Sequence, residues 1–482
     1  MQGSRLPIYN ALREYADKNI KAFHTPAHKG LRFLPGLENF ITPEGLACDL
    51  PCMDETDFWN HPSGCIAQAK RNAAQLYDAA DTFFLVNGST LGNHVMMMAA
   101  IPQGGKLLIP RNFHISAFSA MALAGVIPEY IPARWADGIG PVPVTTEMIT
   151  SGMDENTRAV FLTNPTYYGI SGDISGIAEA CKKKNTLLLV DEAHGAHLAF
   201  LPPGFARPAL EAGADMVVQS LHKTIGSMIG TAQLHLGRHS RLEGKRIQYM
   251  LNLLQSTSPS NILLSSLELA NHWLAEKGTA SFQQMTDRIL ALRWNLSGID
   301  GIKVIDTSSS YLEGCRLDPV KLTIDVSGLG ITGFAAERVL KNEFKILCEF
   351  SDWTSVVFVL GPHDSADDYS ALEKALATIA RQSHGGKQMP QAEHRLKEMP
   401  VPGYQLAPRE ACLADKRVIP AEEAAGKVCG ELISVYPPGI PLICPGELVT
   451  QEVLDYLRLL NTENACVYAQ DQSLQSILII DN

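Results

Sequence analysis

The feature that most restricts what this chain can become is the alternation of short apolar runs with amphipathic stretches between Cys65 and Leu236. Ile66, Ala69, Ala73, Leu76 and Tyr77 recur at helical spacing and predict a helix over Cys65–Ala80. An apolar strand, Phe83–Val86, follows, then the turn Asn87-Gly-Ser-Thr90 and a helix over Leu91–Ala100. The same rhythm predicts strand Lys106–Pro110, helix Ile115–Ala124, strand Ile127–Ile131, strand Ala159–Thr163, helix Ile174–Lys184 and strand Thr186–Asp191. Strands Met216–Ser220 and Thr231–Leu236 complete the series. Strands that are apolar throughout need cover on both faces, and intervening helices supply it. The pattern therefore predicts an α/β fold with a mostly parallel sheet covered by helices. Ligands of such sheets sit beyond the carboxyl ends of the strands, so the polar residues at the strand tips are the ones to examine.

The rest of the chain reads differently. Residues 1–64 carry Pro, Gly and His punctuation and suggest an extended N-terminal arm with one short helix near Ile8–Asn19. The alternating region, 65–270, is the expected large ligand-binding domain. A smaller α+β domain is expected over 271–381, with helix Ser281–Leu296, strand Lys321–Val326, helix Ala335–Lys341, strand Ser355–Val359 and helix Ala366–Arg381. The polar segment 382–402, with Gly385-Gly386 and Pro390, reads as a linker to a third unit over 403–482. Of the 482 residues, 46% are hydrophobic and 19% charged, which excludes a mainly disordered chain. Apolar runs such as Leu187–Val190 fall far short of the ~18 residues a membrane span needs. The first residues lack the apolar core of a secretion signal. A net charge of −11 argues against a nucleic-acid or anionic-membrane partner. Ten scattered cysteines without a Cys-x-x-Cys pair suggest a reduced, cytoplasmic protein with no disulfide framework and no zinc site.

Three strand-tip motifs carry chemistry. Asn87-Gly-Ser-Thr90 joins a strand to a helix start, where free backbone N–H groups and hydroxyls can meet a phosphate; such a turn also serves as a plain helix cap. Asp191, at the end of Leu187–Asp191, can hold a cation in a low-dielectric cleft, or cap a helix. The run Asp191-Glu-Ala-His194 also spells a helicase ATPase motif, but that reading needs a G-x-x-x-x-G-K-[ST] loop, and none of the Gly-Lys pairs at 105, 244 or 386 has the Ser or Thr. His194 and His197 lack the spacing of metal ligands. Lys223, in Gln219-Ser-Leu-His-Lys-Thr-Ile-Gly226, follows an apolar strand and is flanked by Ser220 and His222; it is either a surface lysine or a desolvated nucleophile. Taken in order, a phosphate turn, an acid and, 32 residues after the acid, a lysine match pyridoxal phosphate. Its aldehyde takes a lysine, its phosphate takes the Gly/Ser/Thr turn, and its pyridine nitrogen takes a carboxylate.

The sequence here resembles the bacterial-type ornithine/lysine/arginine decarboxylases that use pyridoxal phosphate, within the aspartate-aminotransferase superfamily. The resemblance rests on Phe23-His-Thr-Pro-Ala-His-Lys-Gly30, Phe83-Phe-Leu-Val-Asn-Gly-Ser-Thr90, Pro110-Arg-Asn-Phe-His114, Thr163-Asn-Pro-Thr-Tyr167, Val190-Asp-Glu-Ala-His-Gly-Ala-His197, Ser220-Leu-His-Lys223, Ser256-Thr-Ser-Pro259, Tyr436-Pro-Pro-Gly-Ile-Pro441 and Pro445-Gly-Glu447. It implies an aspartate-aminotransferase-like fold with smaller α+β C-terminal domains, and the decarboxylation of a basic amino acid, arginine first, then lysine, then ornithine, in polyamine-type metabolism. It makes Lys223 the Schiff-base lysine, Asp191 the partner of the ring nitrogen, and His114 and Ala193 the residues on the two ring faces. Gly88, Ser89, Thr90, Ser220 and His222 would hold the phosphate, with Ser256 reaching it from a partner subunit. His194 would handle a proton or touch substrate, and Glu447 would face the distal cation of the substrate. The resemblance implies a homodimer with shared sites. The segment Glu55–Gly64 departs from the family's Leu-Asp-Asp-Leu pattern, and the extra N-terminal domain of the large members, with the rings it builds, is not expected. An aminotransferase or side-chain lyase on the same scaffold shares Lys223 and Asp191, and a cofactor-binding regulator without turnover is a further alternative.

Overall fold

The computed structural model describes residues 5–18, 20–30, 34–136, 139–308, 312–383, 399–435, 438–463 and 465–481. Most of the expected linker (384–398), Asn19 of the predicted first helix, and Tyr436 and Pro437 lie outside the described residues. A mostly parallel central sheet is built from β1 (Asp81–Leu85), β2 (Lys106–Pro110), β3 (Ile127–Ile131), β4 (Thr157–Thr163), β5 (Leu187–Asp191), β6 (Met216–Gln219) and β7 (Ala232–Leu236). The chain forms two compact units, Met1–Ala99 with Leu189–Phe200 and Pro208–Ala280, and Ala100–Leu188 with Leu201–Arg207 and Ser281–Asn482. Each unit gathers distant chain segments. Strands adjacent in a parallel sheet are separated by long crossovers, so neighbours in space are not neighbours in sequence.

In the first unit the strand order is β1-β7-β6-β5. β1 pairs antiparallel with β7, β7 antiparallel with β6, and β6 parallel with β5, with Val218 opposite Asp191. All five residues of β5 and all four of β6 are buried, as apolar runs in a covered sheet must be. Helix α1 (Pro7–Asp17) buries Ile8, Leu12 and Tyr15. Helix α2 (Cys65–Leu76) buries Ile66, Ala69 and Ala73. It ends short of the predicted Ala80 because Asp78 turns left-handed (φ 53°) and Ala79 N donates to Ala74 O at 2.8 Å. Asp57 accepts at its start: Oδ2 takes the N–H groups of Gly64 (2.8 Å) and Ile66 (2.9 Å), and Oδ1 takes Ser63 N (3.0 Å).

Helix α3 (Gly88–Ala100) begins three residues earlier than the predicted Leu91. Gly88 makes the reversal out of β1 at φ 69°, a conformation that favours glycine. Gly92 lets α3 lie close on the sheet: a Cβ there would sit 2.3 Å from Val218 Cγ2.

In the second unit β2 pairs parallel with both β3 and β4. The predicted bounds of β2, β3, helix Ile115–Ala124 and strand Ser355–Val359 are the observed ones. A four-stranded sheet orders Lys303–Val304, Lys321–Asp325, Ser355–Val359 and Phe350–Ser351. The C-terminal segment packs helix Gln451–Thr462 through Val453, Leu454, Tyr456, Leu457 and Leu460 onto Ile433, Leu442, Ile443, Ile477 and Ile479. Among the described residues no helix is long and apolar enough to cross a membrane.

Candidate active site

The first unit brings most of the motif residues together. Strand β5 ends on Asp191, and β6 runs through Ser220 into the helical turn Leu221–Thr224, which carries Lys223. Parallel pairing places both strands' carboxyl ends on one edge. The two following loops are joined by Ser220 N, which donates to Ala193 O at 3.2 Å. Lys223 Nζ lies 3.1 Å from His194 Nε2. The lysine amine and a proton acceptor are thus in hydrogen-bond contact at the strand tips.

Asp191 is buried, and each of its oxygens has a donor. Ala193 N donates to Oδ1 at 3.1 Å, and Asn93 Nδ2 donates to Oδ2 at 2.8 Å. Two donors on an acceptor-only group is the pattern an ionised carboxylate takes. Asn93 escaped the sequence reading. The available signal was its helical spacing, four residues beyond Ser89 and three beyond Thr90 on α3, which puts a buried amide below the phosphate turn.

Several features test whether this site suits pyridoxal phosphate. Ser220 Oγ is buried and has no hydrogen-bond partner among the described residues. Leaving a hydroxyl so costs about 1–3 kcal/mol, which a phosphate oxygen there would relieve. Gly88 has open space where a Cβ would stand. The thirteen-residue helix α3 presents its positive end with Ser89 half-buried and Thr90 exposed. His222 Nδ1 donates to Thr231 O at 2.7 Å, which fixes the tautomer, because a carbonyl can only accept. Burial pushes the His222 imidazole down; the Thr231 carbonyl opposes this and Lys223 adds to it. The donor set, the orphan hydroxyl and the acid at the neighbouring strand tip fit the cofactor. Ser256 is exposed, with Oγ accepting from Ser258 N at 3.2 Å.

The second unit holds His114 and Glu447. His114 caps helix Ile115–Ala124; its Nδ1 accepts from Ser116 N at 3.2 Å and lies 2.8 Å from Ser116 Oγ, so the ring is held while Nε2 stays outside that cap. Glu447 requires a correction. Its carboxylate is fully buried and faces Arg111, not a substrate cation. Arg111 Nε and Nη2 donate to Glu447 Oε1 and Oε2 at 3.2 and 2.9 Å, and Cys444 N donates to Oε2 at 2.7 Å. Burial pushes the Glu447 carboxyl up while the Arg111 guanidinium opposes it. Arg111 also donates to Pro441 O at 2.8 Å and lies over the Phe113 and Tyr130 rings at 5.1 and 5.6 Å. The Pro110–His114 and Pro445–Glu447 motifs therefore meet each other through a buried ion pair. Both oxygens of Glu447 accept from groups of this chain, and the pair ties the Pro445–Glu447 motif to Arg111.

A lysine, an acid and a phosphate turn on the strand tips of a mostly parallel α/β sheet define a pyridoxal-phosphate enzyme of the aspartate-aminotransferase-like class. Residues 6–368 match the family model for the Orn/Lys/Arg decarboxylase major domain, and residues 390–467 match that for the Orn/Lys/Arg decarboxylase C-terminal domain. The chain belongs to the Orn/Lys/Arg decarboxylase family. It is 34% identical to an arginine decarboxylase of Bacillus subtilis over 95% of this chain and 94% of that protein. It is 32% identical to an arginine decarboxylase of Halalkalibacterium halodurans over 98% and 97% of the two chains. Among solved structures, lysine decarboxylase A from Pseudomonas aeruginosa shares its fold with a TM-score of 0.85 at 22% identity, over 98% of this chain and 80% of that one. The chain is accordingly a carboxy-lyase acting on a basic amino acid with pyridoxal phosphate as cofactor.

Proposed function

We propose that this enzyme decarboxylates arginine in preference to lysine and ornithine, releasing carbon dioxide and an amine of the polyamine class. The observation that carries the site is the contact of Lys223 Nζ with His194 Nε2 at 3.1 Å beside the doubly bonded Asp191. The choice of arginine is supported by the two arginine decarboxylase relatives, which match almost end to end. Bound pyridoxal phosphate supplies the electron sink that takes up the pair left on the α-carbon when carbon dioxide departs.

The residues of this chain do the rest. Lys223 would hold the cofactor through its amine. Asp191, kept in place by Asn93 and Ala193 N, would hold a proton at the ring nitrogen and so stabilise charge that develops during the reaction. Ala193 would pack against the ring. Gly88, Ser89, Thr90, Ser220 and His222 bind the phosphate, joined by Ser256 of a second copy. His194 Nε2 takes a proton from the Lys223 amine and returns it. The active form is a cytoplasmic homodimer. Met228 and Ile229, five and six residues after Lys223, are 51% and 86% exposed and give a second copy an apolar surface.

The test is carbon-dioxide release from arginine, lysine and ornithine with the cofactor supplied. Arginine is expected to give the highest kcat/KM; a higher value for lysine or ornithine rejects the substrate assignment. Lys223→Ala is expected to lose turnover and all cofactor fixed by borohydride, and a variant that keeps either refutes the role of Lys223. Transfer of the amino group to a keto acid at a comparable rate would favour an aminotransferase.

A further inference from the structure

The face of the sheet behind Asp191 carries a second polar set that the site does not use. Cross-strand register aligns Asp191 with Val218, Val218 with Leu234, and Leu234 with Phe83, so these four point to one side. The alternate residues Gln219, His235 and Thr82 point to the other. There, Thr82 Oγ1 pairs with His235 Nδ1 at 2.8 Å, and His235 Nε2 with Gln219 Oε1 at 3.2 Å. Gln219 Nε2 donates to Glu192 Oε2 at 2.6 Å, and Ala209 N donates to Glu192 Oε1 at 2.8 Å. Thr82, His235, Gln219 and Glu192 are all 0% exposed.

The bonds in this ribbon have one consistent direction. Burial pushes the His235 imidazole down to about 3, so the ring is neutral and offers one donor and one acceptor. The amide oxygen of Gln219 can only accept, so His235 Nε2 carries the proton and Nδ1 accepts from the Thr82 hydroxyl. The amide nitrogen of Gln219 then has to face Glu192. Glu192 follows Asp191 in the chain, and Gln219 precedes Ser220 and stands four residues before Lys223. The 2.6 Å bond therefore ties the tips of β5 and β6 together directly behind the acid and the lysine. Two apolar side chains would fill this space at no desolvation cost, and buried charged groups often stabilise less than such a pair. What a bonded carboxylate and amide add is a fixed geometry.

We propose that Glu192 and Gln219 are positioning residues whose buried hydrogen bond sets the separation of the Asp191 carboxylate from the Lys223 amine. The proposal rests on the reading of Asp191 and Lys223 as the two tethers of pyridoxal phosphate. Gln219→Glu sets two carboxylates against each other. The exchange Glu192→Gln with Gln219→Glu restores one donor and one acceptor.

The full-length protein is stripped of cofactor and titrated with pyridoxal phosphate. The dissociation constant, the midpoint of the pH dependence of the bound cofactor's visible absorbance, kcat and KM are then measured. Gln219→Glu is expected to weaken cofactor binding at least tenfold, displace that midpoint, and lower kcat at least tenfold with KM within twofold. The exchanged pair is expected to recover to within about threefold of the parent protein. Wild-type affinity and midpoint in Gln219→Glu, with only thermal stability lost, overturn the proposal, as does failure of the exchanged pair to recover. Should Gln219→Glu be insoluble, Gln219→Met is read by the same criteria. Borohydride fixation separates the two levels. A parent protein that fixes no cofactor at Lys223 overturns the site and the pair together, whereas normal fixation with unchanged variants overturns the pair alone.

Discussion

Single side chains divide into those that face the chemistry and those that hold them. Asn93 belongs to the second kind: its amide at 2.8 Å gives Asp191 Oδ2 its donor. A hydrogen bond to a charged group contributes about 1.5–3 kcal/mol. Asn93→Leu is therefore expected to lower kcat by about ten- to a hundredfold while borohydride still fixes the cofactor at Lys223; an unchanged kcat would remove Asn93 from the account. Arg111 and Glu447 make the sharpest structural case. Removing one member of a buried ion pair leaves the other charged and uncompensated, at a cost of about 3–5 kcal/mol. Arg111→Met should show a loss of that size in denaturant unfolding, and a loss below about 1 kcal/mol would mean that Glu447 finds another partner.

At the scale of elements, helix starts depend on acids outside the helix, one nearby in the chain and one distant. The first N–H groups of a helix have no partner within it. Asp57 supplies one for α2, from the segment Glu55–Gly64 whose sequence departs from the family pattern. Glu268 supplies another for α1: its two oxygens accept Ile8 N at 2.9 Å and Tyr9 N at 2.8 Å. Burial pushes the Glu268 carboxyl up to about 7 from 4.5, against the opposing effect of those two bonds. The folded chain therefore holds this proton up to about pH 7, while the unfolded chain releases it near 4.5. Between these values the folded state binds more protons. The contribution is complete below 4.5 and is lost as the pH rises through about 7. Unfolding free energy measured across this window should fall by up to about 3 kcal/mol, and Glu268→Gln should flatten that fall. A variant with the same pH profile as the parent would show that Glu268 does not titrate there.

At the scale of the whole molecule, the site is a joint product of elements the chain supplies far apart. A cofactor that binds only this arrangement stabilises it by mass action, by about 2.7 kcal/mol at a hundredfold excess over Kd. Pyridoxal phosphate should therefore raise the unfolding midpoint of the parent protein, and do so much less for Lys223→Ala; equal shifts would show that the amine adds nothing to binding. The alternation of strands and helices was readable because covered parallel strands must be apolar and their helices amphipathic. That requirement acts residue by residue along the chain. It gave the order of elements and put Asp191, Ser220 and Lys223 at strand tips. Helix ends were less readable, since Asp78 stops α2 and Gly88 starts α3 through single left-handed residues that no periodicity marks. Glu447 was the instructive failure. An acid in a C-terminal motif was assigned to a cationic substrate, and the cation it meets is Arg111, 336 residues away. The sequence by itself determined which residue types stand at the sheet's edge and the class of chemistry they support. Only the tertiary structure decided which polar group meets which, Asn93 with Asp191, Gln219 with Glu192, Arg111 with Glu447. Such pairs depend on strand register and on how closely a helix approaches a sheet, and these are set by packing among residues that local pattern does not connect.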